Sequence, residues 1–186
     1  KPILGEYPEY SKIYIDLLQD DGQILEHLWN NFVALRDFVQ KLPEKKLYYR
    51  YAEGKWTIKE ILVHLIDDER IFAYRALRYA RNDQTPLHGF DQDKYAQYSE
   101  ANARSLKNIF DEYEVVRKAT IALFQNLPND CFKRGGEGVD FDGSIINKRT
   151  VRGLAYHIAG HELRHFNIIK ERYLGIPLPV GISTLN

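Results

Sequence analysis

The sequence is poor in sulfur, with one cysteine and no methionine. Cys131, being alone, cannot close a disulfide within the chain or join a second thiolate around a metal, so a reducing, cytoplasmic setting is expected. An excess of charge is also missing. Lys plus Arg and Asp plus Glu each total 26, and a chain without net charge carries no field that favours a nucleic acid or an anionic membrane. No segment approaches the roughly 18 uncharged apolar residues of a membrane span. The opening KPILGEYPEY is interrupted by proline before a signal-like apolar stretch can form. Neither a nucleic-acid nor a membrane partner is expected, and the protein reads as soluble. Repeats, low-complexity tracts and linkers long enough to divide the chain are lacking as well.

What is present is an ordinary globular composition in 186 residues, 44% hydrophobic and 28% charged, with 13 Tyr and 9 Phe. That length can bury one sizeable core without disulfides, so a single domain over residues 1–186 is expected. Because the chain opens on Lys1, its start says nothing of what precedes it.

Apolar spacing predicts four long helices. The first runs from about Asp21 to Leu42, with Ile24, Leu25, Leu28, Phe32, Leu35 and Phe38 at three- and four-residue steps, and stops before Pro43. The second starts at Lys55-Trp56-Thr57-Ile58-Lys59-Glu60-Ile61, where Thr57 and Glu60 can cap each other's amides and Trp56 can staple onto Ile61. It continues to the break at Asn82-Asp83-Gln84-Thr85-Pro86. A third, from Asp91 or Ala101 to Leu127, carries a stripe interrupted by Arg117 and Thr120. The glycine-rich interval Asn129 to Arg149 holds a short hairpin through Val139 to Ile146, and Asp140-Phe141-Asp142-Gly143 reads as a turn. The last helix starts near Thr150 and ends at Tyr173-Leu174-Gly175, ahead of Pro177. Four long helices with long middle connections and no strand alternation argue for an all-α four-helix bundle.

Six histidines are present, and His157, His161 and His165 recur every four residues on the last helix, on the arc that also holds Leu154, Ile158, Ile168 and Ile169. A lone core histidine is ordinarily hydrogen-bonded to a carbonyl or carboxylate. Several stacked on a buried face need partners, and one shared metal ion satisfies two ring nitrogens at once. His161 and His165 are therefore expected to ligate a divalent metal. His157 is too far along the helix to converge with both and is expected to act as a neighbour. A third ligand must come from elsewhere; His64, at the flank of the second helix's buried stripe, suits better than His27 or the loop residue His88.

His161-Glu162-Leu163-Arg164-His165 also matches H-E-x-x-H, in which two histidines bind zinc and the glutamate activates water. The longer metzincin pattern needs Gly and His where Ile168 and Glu171 stand. Only 21 residues follow His165, so a distant downstream ligand is not supported, and Glu162 is read as a helix residue near the site rather than a peptidase base.

These stretches resemble the DinB/YfiT-like superfamily of metal-dependent bundle proteins, which includes bacillithiol transferases. The match lies in Lys55 to Leu65, with its Trp, Thr, Glu and His, followed by Asp68-Glu69-Arg70, and in Tyr156 to His165. The resemblance implies a DinB-like four-helix bundle with an unusual connection order, commonly a homodimer. It also implies three metal ligands at His64, His161 and His165. Arg164 stands where many relatives carry another histidine, and Phe166-Asn167-Ile168-Ile169 replaces a common Arg-Gly-Gln-Ile run.

All-nitrogen ligation favours Zn²⁺ or Ni²⁺, with Fe²⁺ or Mn²⁺ as alternatives. The expected chemistry is attack on a small electrophilic substrate by a low-molecular-weight thiol whose pKa the metal lowers, with His157, Glu162 and Asp68 placed to orient or assist. A non-catalytic metal-binding module, with the ion tying two helices together, is the alternative, and hydrolysis a further one. His88 and Tyr95, in the loop after Pro86, are expected at the substrate mouth.

Overall fold

The computed structural model describes residues 1–139, 142–143, 146–179, 181–182 and 184. A short helix, α1 (Lys12–Ile15), precedes the first long one, α2 (Ile24–Val39). A single turn, α3 (Glu44–Leu47), leads into α4 (Ile58–Ala80). Beyond a two-residue strand, β1 (Leu87–His88), come α5 (Gln92–Tyr98) and the long α6 (Leu106–Gln125). Two strands, β2 (Gly135–Val139) and β3 (Ile146–Thr150), precede α7 (Val151–Ile168), which runs on as a π-helical turn over Ile169–Tyr173.

The long helices bury the stripes that the spacing predicts: Leu28, Phe32, Leu35 and Val39 on α2, and Ile109, Phe110, Tyr113, Val116 and Phe124 on α6. Both α2 and α4 pack against α6 and α7, so sequential α2 and α4 stand on a diagonal of the bundle. This arrangement brings α4 against α7, the two helices that carry the histidines. The capping box at Thr57 and Glu60 is formed, with Glu60 N donating to Thr57 Oγ1 at 3.1 Å and Thr57 N to the Glu60 carboxylate at 2.7 Å.

Helix boundaries differ from expectation for local reasons. Asp21 Oδ1 accepts from Gln23 N at 2.9 Å and the carboxylate pairs with the His27 ring, so α2 begins at Ile24 rather than Asp21. The predicted third helix is divided: Glu100 takes a left-handed φ of 51°, and Ser105 then caps Asn108 to start α6. The hairpin strands are present as antiparallel β2 and β3, and β1 joins β2 in parallel. Two residues are too few to leave a periodic signal, so β1 was not predicted. Asp140 and Phe141 of the predicted turn lie outside the described residues.

The N-terminal segment is held on α7 by close backbone approach. A Cβ on Gly160 would lie 2.2 Å from the Tyr14 carbonyl oxygen, and one on Gly153 2.3 Å from that of Glu6. Only glycine leaves room for this crossing. Thr150 N also donates to Glu6 O at 2.9 Å, and Arg152 pairs with the Glu6 carboxylate. These contacts set Tyr14 against the histidine face of α7.

Candidate metal centre

His161 and His165 lie one turn apart on α7, and α4 presents His64 opposite them. The three imidazoles turn their Nε2 atoms toward one another: His64 to His161 is 3.3 Å and His165 to His161 is 3.0 Å. All three donor atoms fall within 4.8 Å. Three ring nitrogens crowded together turn their lone pairs toward one point, an arrangement that a shared cation satisfies.

The surroundings hold the His64 and His165 rings neutral. Burial lowers His64 to about 3, reinforced by the neighbouring His161. Burial also holds His165 well below the usual histidine range. His161 Nδ1 lies 3.2 Å from Asp68 Oδ2, and a proton shared there leaves Nε2 as the unprotonated, ligating nitrogen. Asp68 is itself buried, yet the facing histidines keep it in its ionised form. The Trp56 ring packs on His64 with 4.7 Å between centroids, so the residue that precedes the α4 cap also fixes a ligand's orientation. Donor set, tautomer and buried setting fit a divalent metal with nitrogen ligation.

Of the five expected site residues besides the triad, His157 and Asp68 belong to this constellation. Asp68, His157 and His161 form a second group of potential donors within 4.8 Å, sharing His161 with the triad. His157 Nδ1 meets Ser11 Oγ at 3.0 Å, and its ring stacks on Phe72. Burial lowers its pKa well below the ordinary value.

Glu162 turns away. One residue after His161, it points about 100° around the helix, where its carboxylate accepts from Tyr113 Oη at 2.8 Å and Arg117 Nη1 at 2.9 Å. Arg117, fully buried, also donates to both oxygens of Glu69 and to Leu28 O. Arg117 therefore interrupts the apolar stripe of α6 because it joins a buried ion network. Burial pushes the Glu162 carboxyl up despite that guanidinium. The glutamate that an H-E-x-x-H hydrolase needs beside its metal is thus committed to the core.

His88 and Tyr95 also stand apart from the expected mouth. The His88 side chain is exposed, while Tyr95 packs on Phe90 at 5.0 Å and is 46% exposed. Neither lines a cavity next to the histidines; their neighbours Phe90, Gln92 and Asp93 do. The His27 ring is paired with Asp21. Residues without any prior sequence signal complete the site. Tyr14 sets its ring edge against His161 and His157, and burial raises its hydroxyl to about 12. His161 and His165 open on a cavity of about 360 Å³ walled by Tyr14, Tyr51, Trp56 and Arg164. No fourth His, Cys or carboxylate joins the triad among the described residues.

Fold and site together define a metal-binding type of four-helix bundle. Residues 24–169 match the model of the DinB superfamily, and the chain belongs to that family. Curated relatives include a protein of Oceanobacillus iheyensis, 28% identical over 152 residues, covering 81% of this chain and 86% of its own. Another is YfiT of Bacillus subtilis, 21% identical over 170 residues, covering 91% and 93%. Both carry the name "Putative metal-dependent hydrolase". The fold is that of the solved YfiT structure, described as having an unusual four-helix bundle topology, with a TM-score of 0.69 over 95% of this chain and 94% of that one at 20% identity. No described helix is long and apolar enough to cross a membrane.

Proposed function

We propose that the chain is a metal-dependent enzyme acting on a small molecule, with His64, His161 and His165 holding one divalent ion, Zn²⁺ or Ni²⁺, and a low-molecular-weight thiol as nucleophile. The observation that carries this reading is the convergence of three Nε2 atoms at a cavity, with no fourth His, Cys or carboxylate among the described residues to close the set. A closed set of four would favour a purely structural ion. When bound, the ion supplies a Lewis acid that lowers the pKa of a thiol or water to near neutrality. Asp68 holds His161 in its ligating tautomer, Trp56 fixes the His64 ring, and Tyr14 walls the cavity beside both histidine groups.

The commitment of Glu162 to Arg117 and Tyr113 favours thiol over water. Hydrolysis of the H-E-x-x-H type relies on that glutamate to take a proton from water, whereas a thiol ionises close to neutral pH without a dedicated base. The sulfur forms a bond to the electrophilic carbon, the leaving group departs with its electron pair, and the thiol proton passes to solvent. Hydrolysis is the second reading, supported by the names of the relatives.

Protein purified without a chelating resin is expected to contain about one divalent ion per chain by plasma mass spectrometry, as one triad provides, and His161→Ala to lose it. Incubated with cysteine and an aryl halide, the metal-loaded protein should form thioether, and EDTA treatment should stop it. Absence of stoichiometric metal sinks the reading; metal with ester hydrolysis but no thioether moves it to the second.

A further inference from the structure

A second cavity, of about 250 Å³, lies beside the first and shares Tyr14, Gln92 and His161 with it. Two arginines line it, Arg75 from α4 and Arg149 from β3, only 4% and 7% exposed. Arg75 Nη2 donates to the His88 carbonyl at 2.8 Å, and Arg149 Nη2 to Tyr10 Oη at 2.6 Å. Arg149 Nε is buried with no hydrogen-bond partner. Both guanidinium groups lie over the Phe72 ring, at 4.9 Å and 5.8 Å from its centroid.

Among the described residues, neither arginine has a carboxylate within ion-pairing distance. The contrast with Arg117 is instructive, because that buried guanidinium is met by Glu69 and Glu162 at 2.8 and 2.9 Å. Among the described residues, the one acid lining the second cavity, Asp68, is directed to His161 and His157. Two buried cations against one carboxylate leave an excess of one positive charge, and burial, reinforced by the nearby Arg149, lowers the pKa of Arg75. Uncompensated buried charge is costly to a fold and persists where a ligand completes it. A planar guanidinium with a free Nε–H, as on Arg149, matches a carboxylate, which takes two parallel hydrogen bonds from such a fork.

We propose that Arg75 and Arg149 form a carboxylate subsite, so that the substrate is a small carboxylic acid whose acid group is held there while its reacting end reaches the histidine triad past Tyr14 and His161. The charge excess of one selects a monoanion over a phosphate dianion, and Phe72, Phe90 and Val139 in the wall accommodate a short apolar body. The reach to the triad rests on the metal-enzyme reading; the carboxylate subsite itself does not.

The test uses the EDTA-treated 186-residue chain, titrated with sodium propionate, inorganic phosphate or sodium chloride at constant ionic strength, with arginine Nε–H resonances followed by NMR. Propionate should shift the Arg149 and Arg75 signals saturably in the millimolar range, and Arg149→Gln should weaken binding at least about tenfold, the loss of one charge-assisted pair. Arg149→Lys should fall between. Should Arg149→Gln fail to fold by circular dichroism, Arg75→Gln replaces it with the same expectation. Equal shifts with chloride, tighter binding of phosphate than propionate, or unchanged affinity in a folded variant overturns the assignment. Metal content is measured on untreated samples in parallel, so saturable propionate binding by a chain that takes up no metal would sustain the subsite and sink only the metal reading.

Discussion

The neutral state of the buried histidines makes the metal-free protein acid-sensitive in a calculable way. His64 titrates near 6.5 when unfolded but only at about 3 in the fold, because burial and the adjacent His161 oppose its charge. Between those values the unfolded chain binds the extra proton, so stability is complete above pH 6.5 and declines as pH falls toward 3. From pH 7 to pH 5 the His64 contribution amounts to about 2 kcal/mol. His157 and His165 act in the same direction, and Glu162, whose carboxyl is pushed up, acts in the opposite one. Comparison with His64→Gln cancels these shared terms. Urea unfolding of EDTA-treated wild type and His64→Gln at both pH values should therefore show the wild type losing about 2 kcal/mol more on acidification. Equal losses would refute the buried, neutral His64 on which the ligand geometry depends.

The ion network gives a second expectation: Arg117→Met leaves Glu69 and Glu162 buried without their cation and should cost about 3–5 kcal/mol in urea unfolding. Replacing all three with apolar residues should recover most of that loss. Gly160→Ala forces α1 off α7 and should cost about 1–3 kcal/mol while changing the chemical shifts of His157 and His161, next to Tyr14. Glu162→Gln should leave metal affinity within about threefold in calorimetric titration, whereas His161→Ala lowers it by at least about a hundredfold, since only His161 faces the other ring nitrogens. A large affinity loss in Glu162→Gln would return that residue to the site.

The four-residue spacing of three histidines on α7 and the cap at Thr57 are local properties, set by helix periodicity and hydrogen bonds within a few residues, and both were legible in the chain alone. So were the stripes of the long helices, because burial of one helix face leaves a 3.6-residue signature whatever the partner. Arg117 was visible only as a flaw in that signature; its meaning required Glu69, 48 residues away, and Glu162, 45 away. The fate of Glu162 was hidden for the same reason, since a short motif does not state which way each side chain faces once helices pack.

Tertiary structure alone decided which residues surround the histidines. The diagonal placement of α2 and α4 puts His64 against α7, and the glycine-permitted crossing brings Tyr14 and Ser11 to it. Arg75 and Arg149 line one cavity because β2, paired with β3, packs on α4, a contact with no periodic trace. Residue type and local spacing determined that a helical bundle with stacked histidines would form. Long-range packing determined that three imidazoles converge, that a glutamate next to them turns inward, and that two buried arginines stand nearby, because these depend on distances between segments that no local pattern encodes.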